Sequence, residues 1–325
     1  MSLMHTIAPD EANSFYVDLV LDRGDARELV LDGKINLLDT PLPTYEGSAT
    51  TAGYKDIPVD VSQTTSASLI DLSEAGFNNA FGYYRHEAHL HPVYESDCPD
   101  APTNVLARDT LVEALNEVNR FFRERFGIEI EPMDAYRPQK VQRWIFDKFV
   151  EAGRRRYAEV QDPAERERLA TEYATIYASE PDERGFAHEE GSIDILVRDI
   201  ATNTRLEFGC IFDDPNHVFE TNYYDALRAR VDQLLARTDL TESEVEFVEV
   251  AFKARVSTVE AALKTRRMMV YGMAAHGFTN FGREGIHFEP WDIGGERTRF
   301  AIETLRRWGA KLPDPIKATT GRIQP

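Results

Sequence analysis

Two segments of the chain bring an imidazole and a carboxylate close together. His188-Glu-Glu-Gly-Ser-Ile-Asp194 sets a histidine six positions before an aspartate, with a glycine between them, and Glu284-Gly-Ile-His287 sets a histidine three positions after a glutamate. Two imidazole nitrogens and one carboxylate oxygen, with a fourth position open, are the donor set of a catalytic zinc site, where water becomes a nucleophile at neutral pH. Chain geometry restricts this reading. Fully extended, the chain would separate His188 from Asp194 by roughly 20 Å at about 3.3 Å per residue, whereas ligands of one ion stand about 3 to 4 Å apart when the bonds are near 2 Å. Residues 189–191 would have to double back, and Gly191 is the residue type that makes this cheap. Gly285 can supply a second corner, setting Glu284 beside the ion without being a ligand. There it would serve as general base toward water and then as acid toward a leaving amine. The plainer alternative, a buried hydrogen-bonded histidine and a surface aspartate, stays open on spacing alone.

A second cluster, His86-x-x-His89-x-His91, competes for a metal: His89 and His91 would share one face of an extended segment. No carboxylate base accompanies it in a known pattern, and a polar loop or edge is the other reading. His276, just before Gly277, reads as a helix C-terminal residue meeting the dipole. Cys210 reads as a small buried side chain.

Other chemistries lose ground. The chain has no phosphate-binding Gly-Lys-Ser loop, no G-x-G-x-x-G after a strand, no G-x-S-x-G elbow and no H-E-x-x-H. With 37 Lys+Arg against 56 Asp+Glu the net charge is −19, and an acidic surface repels phosphate backbones, so nucleic acid is not an expected partner. Arg154-Arg-Arg156 does not change this, because glutamates follow it closely on what reads as a solvated helical face. A 42% apolar composition provides for a large core. No run approaches 18 apolar residues, and residues 1–13 resemble no export signal, so a cytoplasmic protein without a membrane span is expected. Cys98 and Cys210 are too few for a disulfide framework.

The elements that must position these residues are partly readable. Residues 1–65 suggest strands and loops, such as Phe15-Tyr-Val-Asp-Leu-Val-Leu21, packed as an extension on a main domain over 66–325. Residues 105–126 place Leu111, Ala114, Leu115, Val118 and Phe122 at helical spacing, with Gly127 as the C-cap. Residues 128–133 alternate as a half-buried strand does, and run into Asp134-Ala-Tyr-Arg-Pro138, where Pro138 can open a helix over 139–152. Residues 154–180 read as a surface helical insertion. Ile193, Ile195 and Val197 mark a strand over 192–199, with a hairpin partner at 204–210. Capping boxes at Thr241-x-x-Glu244 and Ser257-x-x-Glu260 open two helices, the second ending at Gly277, and 278–288 again alternates like a strand. Without a regular βαβ repeat, the fold class expected is α+β around a largely antiparallel sheet.

Taken in order, Asp134-Ala-Tyr-Arg-Pro138, His188-x-x-Gly-Ser-Ile-Asp194, Phe208-Gly-Cys-Ile-Phe-Asp213, Arg266-Arg with Gly277-Phe-Thr-Asn280, and Glu284-x-x-His287 resemble the zinc D-alanyl-D-alanine dipeptidases of the vancomycin-resistance type. The resemblance covers roughly residues 75–295. It implies zinc as cofactor, His188, Asp194 and His287 as its ligands, and Glu284 as catalytic base. It also implies Arg137 as the group that steadies the oxyanion, and Asp213 as receptor for the free ammonium of a small peptide substrate. Tyr136 and Phe212 read as packing residues. The histidine-to-aspartate step is one residue shorter here than in the family, and Phe186 stands where the family has a substrate-holding serine. The expected activity is hydrolysis of a small D-amino-acid-containing dipeptide. The alternatives are a family-derived binding protein without turnover, and a zinc amidase or carboxypeptidase acting on larger cell-wall peptides.

Overall fold

The computed structural model describes residues 41–42, 68–181, 188, 191–215, 219, 221–253, 257–280, 284–293 and 296–297. In chain order the elements are β1 (Leu69–Asp71), α1 (Tyr83–His86), β2 (Leu106–Arg108), α2 (Asp109–Phe126), β3 (Ile128–Asp134), α3 (Gln139–Arg156), α4 (Pro163–Tyr177), β4 (Ile193–Asp199), β5 (Thr204–Arg205), α5 (Tyr223–Leu235), α6 (Glu242–Lys253), α7 (Ser257–Ala275), β6 (Phe278–Asn280), β7 (His287–Ile293) and β8 (Glu296–Arg297). The main sheet runs β3-β4-β7-β6, with β5 added to β4 and β8 to β7; β1 and β2 pair separately. Every pairing is antiparallel. The class is α+β.

The site depends on β4 lying between β3 and β7. Ile193, Ile195 and Val197 bury one face of β4, while Asp194 and Leu196 are buried on the other, so covering layers enclose the strand on both sides. Register places Asp194 opposite His287 on one side and opposite Asp134 on the other. A bulge between Pro132 and Asp134 shifts the end of β3, next to the corner that carries Arg137.

The helix α2 buries Leu111, Leu115, Val118 and Phe122 along one stripe. It ends at Gly127, whose φ of 63° permits its N–H to reach the Arg123 carbonyl. The Asn119 Oδ1 accepts from the Ile130 N–H at 3.0 Å, tying the helix to β3. Helical structure begins at Asp109, later than the sequence pattern suggests, because Leu106–Arg108 pair with β1. Pro138 is the N-cap of α3 and not its first residue, with ψ at 146°. The helix continues to Arg156, so Arg154-Arg-Arg156 form its last turn, and α4 packs back on it.

Three further elements differ from the sequence reading. The partner of β4 is a two-residue strand, although the Leu206 N–H still reaches the Val197 carbonyl at 2.9 Å. Residues 278–288 are not one strand but the two arms of an antiparallel pair, β6 and the start of β7. Helix α5 carries no clear apolar stripe in the sequence and buries Tyr224, Val231 and Leu234.

Of residues 1–65 only Pro41 and Leu42 are described, and the strand reading at 15–21 lies outside them. Leu42 is buried, its N–H donates to Asp225 Oδ2 at 2.9 Å, and the Pro41 carbonyl accepts from the Tyr271 hydroxyl. Among the described residues no helix is long and apolar enough to cross a membrane.

Candidate metal centre

Three side chains far apart in sequence meet in the interior. His188, Asp194 and His287 are each 4% exposed, and each offers a ligand atom within 4.8 Å of the others. Strand β4 supplies Asp194, the first residue of β7 supplies His287, and His188 stands just before the turn into β4. That turn contains Gly191 at φ 122°, a conformation closed to most side chains, so the doubling back required by spacing is present. The one-residue-shorter step does not remove Asp194 from the group. Its carboxylate oxygens lie 3.4 Å from His188 Nε2 and 2.9 Å from His287 Nδ1.

The proton positions indicate what the group can hold. His188 Nδ1 lies 2.9 Å from the Ala135 carbonyl, an acceptor only, so Nδ1 carries the hydrogen. Burial, then the charges of Arg137 and His287, push the His188 pKa well below its ordinary value, which leaves Nε2 bare. A bare imidazole nitrogen therefore faces a carboxylate oxygen. The separation of 3.4 Å is within the edges of about 3 to 4 Å that fit ligands around one ion. His287 completes the set through Nδ1. Its Nε2 is 2.6 Å from Glu289 Oε1, and the two flanking carboxylates overcome burial and hold its pKa well above the usual range. The donor set of two imidazoles and one carboxylate thus fits a divalent ion, which would displace the Nδ1 proton.

Glu284 lies beside this group without joining it, with Oε2 3.6 Å from His287 Nδ1. Burial first, then the charges of Asp213 and Asp194, raise its carboxyl to about 8 against the pull of His287 and Arg137. The neighbouring Gly285 does not act through backbone freedom as the sequence suggests, since its φ is not in the left-handed region. A side chain there would meet Phe208 Cζ at 2.6 Å, so Gly285 is required for space.

Arg137 borders the group at Asp194. It is 7% exposed, and its Nη2 lies 3.7 Å from Asp194 Oδ2. Its Nε donates to Asp134 Oδ2 at 2.7 Å and Nη1 donates to Gln142 Oε1 at 2.6 Å. Its Nη2 donates to the Tyr84 hydroxyl at 3.2 Å, and the guanidinium stacks 4.9 Å from that ring. A guanidinium held on three sides is fixed in direction. Burial raises the Asp134 carboxyl to about 6, opposed chiefly by Arg137.

Asp213 belongs to the same neighbourhood, since its charge acts on Glu284, Asp194 and Arg137. It holds a left-handed backbone at φ 59°, uncommon for a residue with a side chain. Its Oδ2 accepts from the hydroxyls of Tyr84, at 3.1 Å, and Tyr94. His91 Nε2 donates to its carbonyl at 3.0 Å.

The competing histidine cluster disperses. His86 faces the Thr103 carbonyl, His89 pairs with Asp97, and both nitrogens of His91 are used, Nδ1 accepting from the Val93 N–H at 3.1 Å. Phe212 packs 4.0 Å from the Tyr83 ring, His276 Nδ1 meets the Gly272 carbonyl, and Cys210 Sγ accepts from Arg266 Nη2 at 3.4 Å. Phe186 lies outside the described residues.

Sequence reasoning missed Tyr84, Tyr94, Gln142 and Glu289. Glu289 was accessible to it, because strand alternation puts residues 287 and 289 on one face. The tyrosines stand more than a hundred residues before Asp213, with no local pattern linking them to it. In comparisons with known proteins, no family model matches the chain and no match was found among the curated proteins.

Proposed function

We propose that this protein is a zinc-dependent hydrolase of small dipeptides carrying a D-residue, acting at the His188, Asp194 and His287 centre. The carrying observation is a buried three-donor group, in which His188 Nε2 faces the Asp194 carboxylate, bordered by the Glu284 carboxyl and a fixed arginine. Two imidazoles and one carboxylate favour zinc among common divalent ions.

The chemistry such an ion supplies when bound is Lewis acidity, which activates water and polarises a carbonyl. Glu284 takes a proton from the attacking water and passes it to the leaving amine. Its carboxyl is raised to about 8 in the metal-free site, and a nearby cation would lower it and favour the charged base. Arg137 donates hydrogen bonds to the carbonyl oxygen as negative charge develops there, already oriented by Asp134, Gln142 and Tyr84. Asp213, with Oδ2 occupied by two tyrosine hydroxyls, keeps Oδ1 for the substrate ammonium. An ammonium receptor beside the reacting centre favours a dipeptide over a larger cell-wall peptide. A zwitterionic substrate also suits an acidic protein better than a polyanion does.

The test is a hydrolysis screen of zinc-loaded protein against L,L, L,D and D,D dipeptides with free or acetylated N-termini. Cleavage confined to free dipeptides with a D-residue is expected. Cleavage of blocked or longer peptides would favour the amidase or carboxypeptidase reading. No cleavage of any member, with zinc bound, would favour a binding protein.

A further inference from the structure

Behind His287, away from Asp194, lies a short polar relay buried in the sheet. Ser192 and Glu289 are both completely buried. The Ser192 hydroxyl donates to Glu289 Oε1 at 2.6 Å, and the same oxygen lies 2.6 Å from His287 Nε2. The opposite ring nitrogen, Nδ1, faces Asp194 Oδ1 at 2.9 Å. The backbone builds this alignment. His287 and Glu289 lie two apart on β7 and share a face, and Ser192 leads into β4, whose Asp194 is paired with His287.

We propose that Glu289, held in place by Ser192, is the positioning residue of the metal centre: it accepts the Nε2 hydrogen of His287 and thereby presents Nδ1 as the nitrogen that binds the ion. The inference rests on the metal reading given above and deepens it. A histidine ring offers two nitrogens, and an unrestrained ring can turn or exchange tautomers. A carboxylate acceptor on one nitrogen removes both freedoms and makes the other nitrogen a better donor. The carboxylate also adds negative charge next to a centre that would gain a dication. Ser192 restrains the acceptor in turn, since a carboxylate can swing about its last torsion whereas one bonded to a buried hydroxyl cannot do so freely. Carboxylate partners of this kind are worth about 10–100-fold in metal affinity.

The experiment is a zinc titration of wild-type protein, Glu289→Gln and Ser192→Ala against a chromophoric chelator, alongside long-range proton–nitrogen NMR of the His287 ring in the zinc-loaded protein. Glu289→Gln is expected to weaken zinc binding by about 10–100-fold, and Ser192→Ala by a smaller factor. The wild-type ring should show a proton on Nε2 and zinc on Nδ1. Should Glu289→Gln fail to fold without metal, Ser192→Ala and the wild-type NMR decide alone. Wild-type affinity in folded variants, or zinc on Nε2, would overturn this inference and leave the metal centre standing. No zinc binding by the wild-type protein would overturn both.

Discussion

At the residue scale the central pair is Glu284 and Arg137, neither of them a ligand. Glu284→Gln keeps the shape of the side chain and removes the carboxyl that the proposed proton transfer from water to the leaving amine requires. Turnover of the best dipeptide should fall on the order of 10²–10⁴-fold with zinc content unchanged, as kinetics paired with metal analysis would show. Arg137→Lys keeps the charge but loses the fork that Asp134, Gln142 and Tyr84 orient, and kcat should drop on the order of 10²–10³-fold with KM much less affected. Glu284 also gives the metal-free protein a pH signature. Its folded pKa of about 8 lies above the ordinary value of 4.5, so this group's contribution to stability is full below the lower value and is lost as pH rises through the upper one. Metal-free Glu284→Gln should therefore gain in melting temperature relative to wild type between about pH 5 and pH 8. An equal difference at both ends would contradict the raised pKa. The residues gathered here were legible as motifs because each sits at a turn or strand end with a glycine or proline nearby. Tyr84 and Tyr94 were not, since only the folded chain brings them to Asp213.

The helices and strands were legible where one apolar period ran long enough. α2 and α3 follow the 3.6-residue pattern and β4 the two-residue pattern. The Thr241 capping box closes as read, with the Thr241 N–H donating to Glu244 Oε2 at 2.9 Å and the Glu244 N–H to Thr241 Oγ1 at 3.3 Å. The corner between β6 and β7 was hidden because Phe278, Ile286 and Phe288 are all buried for different reasons, so apolar character continues across a change of direction. The α3–α4 pair tests how tightly the insertion is built in. A β-carbon at Gly153 would approach Ala170 Cα to 2.7 Å, backbone against backbone. Gly153→Ala should destabilise the protein by about 1–3 kcal/mol in denaturant unfolding, despite the better helix propensity of alanine. Asp162 caps α4 by accepting from the Ala164 N–H at 2.9 Å, and Asp162→Ala should cost about 1 kcal/mol in the same assay. A neutral result for Gly153→Ala would mean that the two helices can slide apart.

Across the whole molecule, a chain with a net charge of −19 sets four of its acids around one pair of cations. Asp134, Asp194, Asp213 and Glu284 act on one another electrostatically, with Arg137 and His287 as the opposing cations. A dication bound there would offset the mutual repulsion of these carboxylates, which would link binding to folding. The ligands come from β4, β7 and the turn before β4, so an ion would fasten the centre of the sheet. Zinc at about a hundred times its dissociation constant should add about 2.7 kcal/mol to stability, read as a rise in melting temperature that a chelator reverses. The overall class was legible from the mixed elements and the missing βαβ repeat. The strand order was not, since it depends on which residues meet across long loops. The most direct test of the centre is zinc stoichiometry by equilibrium dialysis for wild type, His188→Ala and His89→Ala. One ion per chain in wild type and His89→Ala, and none in His188→Ala, is the expected result. Full zinc binding by His188→Ala would contradict the site.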